Sequence, residues 1–100
     1  DKIPDIIRSN GEMPIIKILN DDDYKKELDK KLFEEYNEVI NASGYDRLEE
    51  LADMIEVIKA LAKIEGKSLN DVIKISSYKA EKRGGFESKI FLEKVIENNK

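Results

Sequence analysis

Five acidic side chains at helical spacing are the part of this chain best suited to chemistry. Glu34, Glu35 and Glu38 form E-E-x-x-E, and after eleven intervening residues Glu50 and Asp53 form E-x-x-D. Spacings of three and four bring side chains together on one face of a helix. Between the two half-motifs, Asn41-Ala42-Ser43-Gly44-Tyr45-Asp46 reads as a loop, with Gly44 as a helix stop and Asp46 as the next N-cap. So short a link requires antiparallel helices. Counting outward from Ala42 and Asp46 sets Glu38 level with Glu50. Glu35 and Asp53 then lie one turn further out, about 4.5 Å along each axis. Four carboxylates meet between the two helices.

The faces that carry them decide whether the cluster matters. The first helix centres its apolar stripe on Leu28, Leu32, Tyr36 and Val39, with Glu35 inside that stripe and Glu38 at its edge. The second is apolar over well over half its circumference, through Leu48, Leu51, Met54, Ile55, Val57, Ile58, Leu61, Ala62 and Ile64. Glu49, Glu56, Lys59 and Lys63 form its polar strip, so Glu50 and Asp53 project from the apolar side. Acidic residues at helical spacing usually make a solvated face, but these lie on the wrong side for that. Buried carboxylates are expensive and repel one another, and cations are the remedy. No Lys or Arg within the motif shares these faces, which leaves a metal ion as the better candidate.

The whole chain, one hundred residues, is expected to make one small domain, residues 1–100, with a core barely adequate by itself. The over-apolar second helix calls for a partner subunit to cover it. Eighteen basic residues against twenty-two acidic ones give a net charge of −4, without a basic run, so nucleic acid and anionic membranes are not the expected partners. The absence of cysteine excludes thiolate catalysis and Cys-type zinc sites, and the absence of histidine excludes Ser-His-Asp chemistry and most transition-metal sites. No stretch approaches membrane-spanning length and no signal-peptide pattern is visible, so a cytoplasmic location is expected.

In chain order, Ile3–Arg8 suggests a short helix with Pro4 in its first turn, closed by Asn10-Gly11. Met13–Leu19 is β-branched, bounded by turn residues, and reads as a strand. Asn20 and the run Asp21-Asp22-Asp23 cap a long helix over roughly 22–42; the glycine and alternating ligands of an EF-hand loop are absent. The second helix runs to about Glu65 and stops at Gly66. Ser68 and Asp71 form a capping box for a third helix with the stripe Leu69, Val72, Ile73, Ser76 and Ala80, ending at Gly84-Gly85. Phe86–Leu92 reads as a second strand able to pair with the first. The expected fold is therefore mainly α. A helical hairpin and a third helix form an oligomeric bundle, with a small two-stranded β element from the flanks.

The E-E-x-x-E…E-x-x-D signature on a helical hairpin resembles the MazG-like, all-α nucleoside triphosphate pyrophosphohydrolases, a superfamily that includes phosphoribosyl-ATP pyrophosphohydrolases. Asp1-Lys2-Ile3-Pro4, the Pro-containing strand before the long helix, and Lys82-Arg83-Gly84-Gly85-Phe86 resemble its phosphoribosyl-ATP pyrophosphohydrolase-like subgroup. The likeness spans nearly the whole chain, with an inter-motif spacing at the short end for the family. It implies hydrolysis of a nucleoside triphosphate between the α and β phosphates, giving nucleoside monophosphate and pyrophosphate. By matching motif positions it implies metal ligation by Glu35, Glu38, Glu50 and Asp53. Glu34 either completes a second metal site or orients water as a base, so Glu34 and Glu38 are the catalytic candidates. Oxygen-only clusters select hard cations, so magnesium, or manganese, is expected rather than zinc. The resemblance also implies bundles of two or more subunits: a dimer covers one face, and a tetramer buries more of the second helix.

Basic and aromatic residues stay open to two readings. Lys79, Lys82 and Arg83 either complement the dipole of the third helix or, with Lys2, reach a triphosphate. Lys31, a turn before Glu34, is a similar candidate for substrate binding against an ordinary surface role. Phe33, Tyr36 and Tyr45 either stack on a base or join the core. Ser76 and Ser77 lack a partner base and read as packing residues. Phosphoribosyl-ATP hydrolysis in histidine biosynthesis, or a non-catalytic nucleotide- or metal-binding oligomerisation module, are the alternative functions.

Overall fold

The computed structural model describes residues 1–98, and four α-helices make up its regular structure: α1 (Ile3–Ser9), α2 (Asp21–Asn41), α3 (Gly44–Ile64) and α4 (Leu69–Arg83). α2 starts where Asn20 accepts a hydrogen bond from the Asp23 N–H at 2.8 Å, with three aspartates in the first turn facing the positive end of the dipole. α3 ends in a Schellman motif. Lys67 N–H donates to the Ala62 carbonyl and Gly66 N–H to that of Lys63, each at 3.0 Å, and Gly66 takes φ +76, where a side chain is strained. α4 opens on the anticipated capping box: Asp71 N–H donates to Ser68 Oγ at 3.1 Å and Ser68 N–H to Asp71 Oδ2 at 2.9 Å. The accepting carboxyl of Asp71 is held below its ordinary range, first by the backbone bond from Ser68 and then by the Ser68 hydroxyl.

The link between α2 and α3 is shorter than the sequence suggests. Only Ala42 and Ser43 lie between the helices, both extended. Gly44 does not stop α2 but begins α3, at φ +59, and Ser43 rather than Asp46 is the N-cap. Asp46 falls inside the first turn, where a carboxylate still favours the helix start. A two-residue link between helices of 21 residues each forces an antiparallel hairpin about 30 Å long.

Helix α3 is the centre of the body: α2 packs along it and α4 meets it, whereas α2 and α4 do not touch, and α1 touches no other helix. Among the described residues, Val39 of α2 and Val57 and Ala62 of α3 are the buried apolar ones, so the core is a thin seam. The expected stripe residues Leu28, Leu32, Val72 and Leu69 are half-buried, and Tyr36 and Ile73 are exposed. On α3, Leu48, Leu51 and Ile55 also remain exposed. The radius of gyration is 19.0 Å, against about 13 Å for a compact domain of this length.

The expected β element does not form. There is no strand among the described residues, and the segments over 13–19 and 86–92 run without regular structure. Ile15 is 99% and Phe86 95% exposed, and Lys89 N–H closes a turn on the Phe86 carbonyl at 3.1 Å instead of joining a ladder. β-branched composition favours extended backbone, but a strand also needs a neighbour for its N–H and C=O groups. These flanks have none.

Candidate metal centre

The hairpin assembles the acidic cluster from one face of each helix. On α2, Glu35 sits one turn from Val39; on α3, Asp53 sits one turn from Val57, with Glu50 a turn before it. Carboxylates and core valines thus share one seam. Counting outward from the Ala42-Ser43 link, Glu35 lies seven residues before it and Glu50 seven after it, so these two are level. Side-chain oxygens of Glu35, Glu50 and Asp53 lie within 4.8 Å of one another. Glu35 is buried, Glu50 half-buried and Asp53 exposed, so the group opens from the seam towards solvent.

Glu35 is the anchor. It is 6% exposed, and its Oε2 is buried without a hydrogen-bond partner. Its other oxygen, Oε1, lies 3.3 Å from Lys31 Nζ, which also stands 3.5 Å from Glu34 Oε2. A basic side chain therefore does reach this face, contrary to the expectation from the motif alone: Lys31 precedes the motif by one turn, and its long stem carries the ammonium across. Glu35 chiefly, by a side-chain hydrogen bond, holds the Lys31 ammonium above its ordinary pKa, against some desolvation. Glu50 shows the opposite stress. Desolvation first, then the negative charges of Glu38, Asp53, Glu35 and Glu49, push its carboxyl above the usual range.

Glu38, expected level with Glu50, is exposed and stands outside the trio, close enough to act on Glu50 by charge. Glu34 is exposed and tied to Lys31. The remaining basic candidates lie on other elements. Lys79 lines a groove with Val72, Ile75, Ser76, Gly85 and Phe86. Lys82 Nζ lies 5.0 Å over the Tyr78 ring, and Arg83 ends α4. Lys2 is the N-cap of α1. Because α4 meets only α3 and α1 meets no helix, none of these rides on an element packed against α2. Phe33 and Tyr36 stack on each other at 6.1 Å between ring centroids, both exposed, beside the E-E pair on α2.

The chemistry of this donor set suits a hard divalent cation. It is all oxygen, carries three carboxylates in reach of one point, and includes an orphaned buried oxygen that an ion would satisfy. Comparison with known proteins adds one relative. An uncharacterized protein of Mycolicibacterium smegmatis is 46% identical over 46 residues, which is 46% of this chain and 47% of that protein. The chain thus spans about half the length of the curated relative it matches. No family model and no solved structure matches the chain.

Proposed function

We propose that this chain is a metal-dependent nucleoside triphosphate pyrophosphohydrolase that cleaves between the α and β phosphates and releases a nucleoside monophosphate and pyrophosphate. The observation that carries the reading is the Glu35–Glu50–Asp53 cluster with the unpartnered Glu35 Oε2. The E-E-x-x-E…E-x-x-D signature on a helical hairpin, similar to the MazG-like enzymes, supplies the reaction class.

In this reading Glu35, Glu50 and Asp53 hold magnesium or manganese, with Glu38 at the rim. The bound cation neutralises phosphate charge and lowers the pKa of a coordinated water. The other roles belong to the chain. Glu34, exposed at the end of the E-E pair, orients the attacking water and takes its proton, with Glu38 as the second candidate. Lys31, which bridges Glu34 and Glu35, is the basic group nearest the phosphates. Lys2, Lys79, Lys82 and Arg83 are the further candidates for the triphosphate, and because α1 and α4 do not pack against α2, a second copy is one way to bring them to it. A homo-oligomer, dimer or tetramer, also covers Leu48, Leu51 and Ile55 of α3, and a cytoplasmic location belongs to the same proposal. No helix among the described residues is long and apolar enough to cross a membrane.

The test is pyrophosphate release from a panel of canonical and modified nucleoside triphosphates with magnesium, with manganese and with EDTA. Metal-dependent pyrophosphate with equimolar monophosphate is the expected result. Metal binding without turnover on any triphosphate moves the reading to phosphoribosyl-ATP or to a sensor. No metal binding at all refutes it.

A further inference from the structure

Lys31 and Glu35 make an unequal pair. The Glu35 side chain is 8% exposed and fixed in the seam, whereas the Lys31 side chain is 54% exposed on a flexible stem. Contacts of 3.3 and 3.5 Å are longer than the ~2.7–2.9 Å of a tight charge-assisted bond, and one ammonium is shared between two carboxylates. Among the described residues Lys31 forms no ion pair with Glu50 or Asp53, although their oxygens lie within 4.8 Å of Glu35's. One positive charge thus answers one side of the cluster and leaves Glu35 Oε2 and the α3 carboxylates unanswered.

From this we propose that Lys31 is an exchangeable counter-ion: it occupies Glu35 while the cluster is metal-free, a divalent cation displaces it, and the freed ammonium becomes a binding group for a phosphate-bearing anion. The inference rests on the metal reading above and adds an order of binding, cation before anion. A divalent ion brings twice the charge and reaches all three carboxylates, so it outcompetes an ammonium confined to one end. Displacement costs little, because Lys31 is already more than half in water and can remain near Glu34. The released charge then stands one turn from the cluster, where a phosphate held by the cation has further oxygens to pair.

The experiment compares wild type with Lys31→Gln by thermal unfolding at fixed protein concentration, in EDTA and in saturating MgCl2, with calorimetric magnesium titrations alongside. Exchange predicts that Lys31→Gln melts below wild type in EDTA and level with it in magnesium. It also predicts magnesium affinity about fivefold higher, the equilibrium weight of a partly exposed ion pair. The Lys31 Hε–Cε resonance, identified by its absence from the variant, moves towards a solvated lysine position as magnesium is added. Affinity of the magnesium-loaded protein for inorganic pyrophosphate falls in the variant. If wild type binds magnesium but the variant's deficit in melting temperature is the same with and without it, Lys31 is a fixed structural partner and the exchange is wrong. If wild type takes up no magnesium or manganese, the metal reading falls and the exchange with it.

Discussion

Replacing Glu35 by glutamine tests the cluster at its most buried member. The substitution keeps the shape of a side chain that is 8% exposed and removes its charge. In metal-free protein two effects oppose each other. The Lys31 pair at 3.3 Å is lost, but Lys31 is half in water, so that loss is at most about 1 kcal/mol. Repulsion towards Glu50, to which Glu35 contributes, is relieved. The expected net change in EDTA is therefore within about 1 kcal/mol of wild type. With metal the variant separates from wild type. At a cation concentration a hundredfold above Kd, wild type gains about 2.7 kcal/mol. At about 4–8 °C per kcal/mol for a chain of this size, that is a rise in Tm of about 10–20 °C. Loss of the buried ligand, taken as ~100-fold in affinity, leaves the variant half-saturated at the same concentration, with a gain of only about 0.4 kcal/mol. The assay is differential scanning calorimetry at constant protein concentration, in EDTA and in MgCl2. A variant that rises with magnesium as far as wild type shows that Glu35 is no ligand. A loss of more than about 3 kcal/mol in EDTA shows instead that Glu35 is held as a structural ion pair.

Two further outcomes follow from the remaining carboxyls. Glu50→Gln raises the stability of the metal-free protein at neutral pH, because the folded state holds this carboxyl above its ordinary pKa by desolvation and by the charges of Glu38, Asp53, Glu35 and Glu49. In wild type the folded form binds that proton more readily than the unfolded form, so stability in EDTA increases as pH falls through the raised value; urea titrations across pH should show this slope flattened in the variant. Asp71 works with the opposite sign: its folded pKa is depressed by the Ser68 bonds, so its contribution is complete above the ordinary aspartate range and is lost as pH falls through the lowered folded value. Ser68→Ala, which removes the cap's acceptor, should cost about 1 kcal/mol at neutral pH in urea unfolding, and the gap to wild type should narrow in acid. A gap that stays the same from neutral pH into acid would mean that the Ser68–Asp71 carboxylate bonds add nothing in solution, and no gap at neutral pH would mean the same of the whole capping box.

Much of the helical framework was legible in the residues because helix ends are local chemistry. Asn20, Gly66 and the Ser68–Asp71 pair each satisfy end groups from within a few residues, and the structure places them in those roles. The flanks depart from their composition for the converse reason. Met13–Leu19 and Phe86–Leu92 have strand composition, but a strand is defined by a partner, and composition does not supply one.

For the cluster the division is finer. Residue order alone puts Glu35 on the apolar side of α2 and Glu50 and Asp53 on that of α3, because helical period fixes which side chains share a face. How the two faces meet depends on the link. Reading six loop residues made Glu38 the neighbour of Glu50; a link of only Ala42 and Ser43 slides the helices so that Glu35 is level with Glu50, and Glu38 is left at the rim. Lys31 likewise falls outside the motif in sequence, and only folding shows its stem carrying a charge back to Glu35. Periodicity within one helix is a property of the chain itself, whereas register between helices and the partners of a buried charge are set by packing.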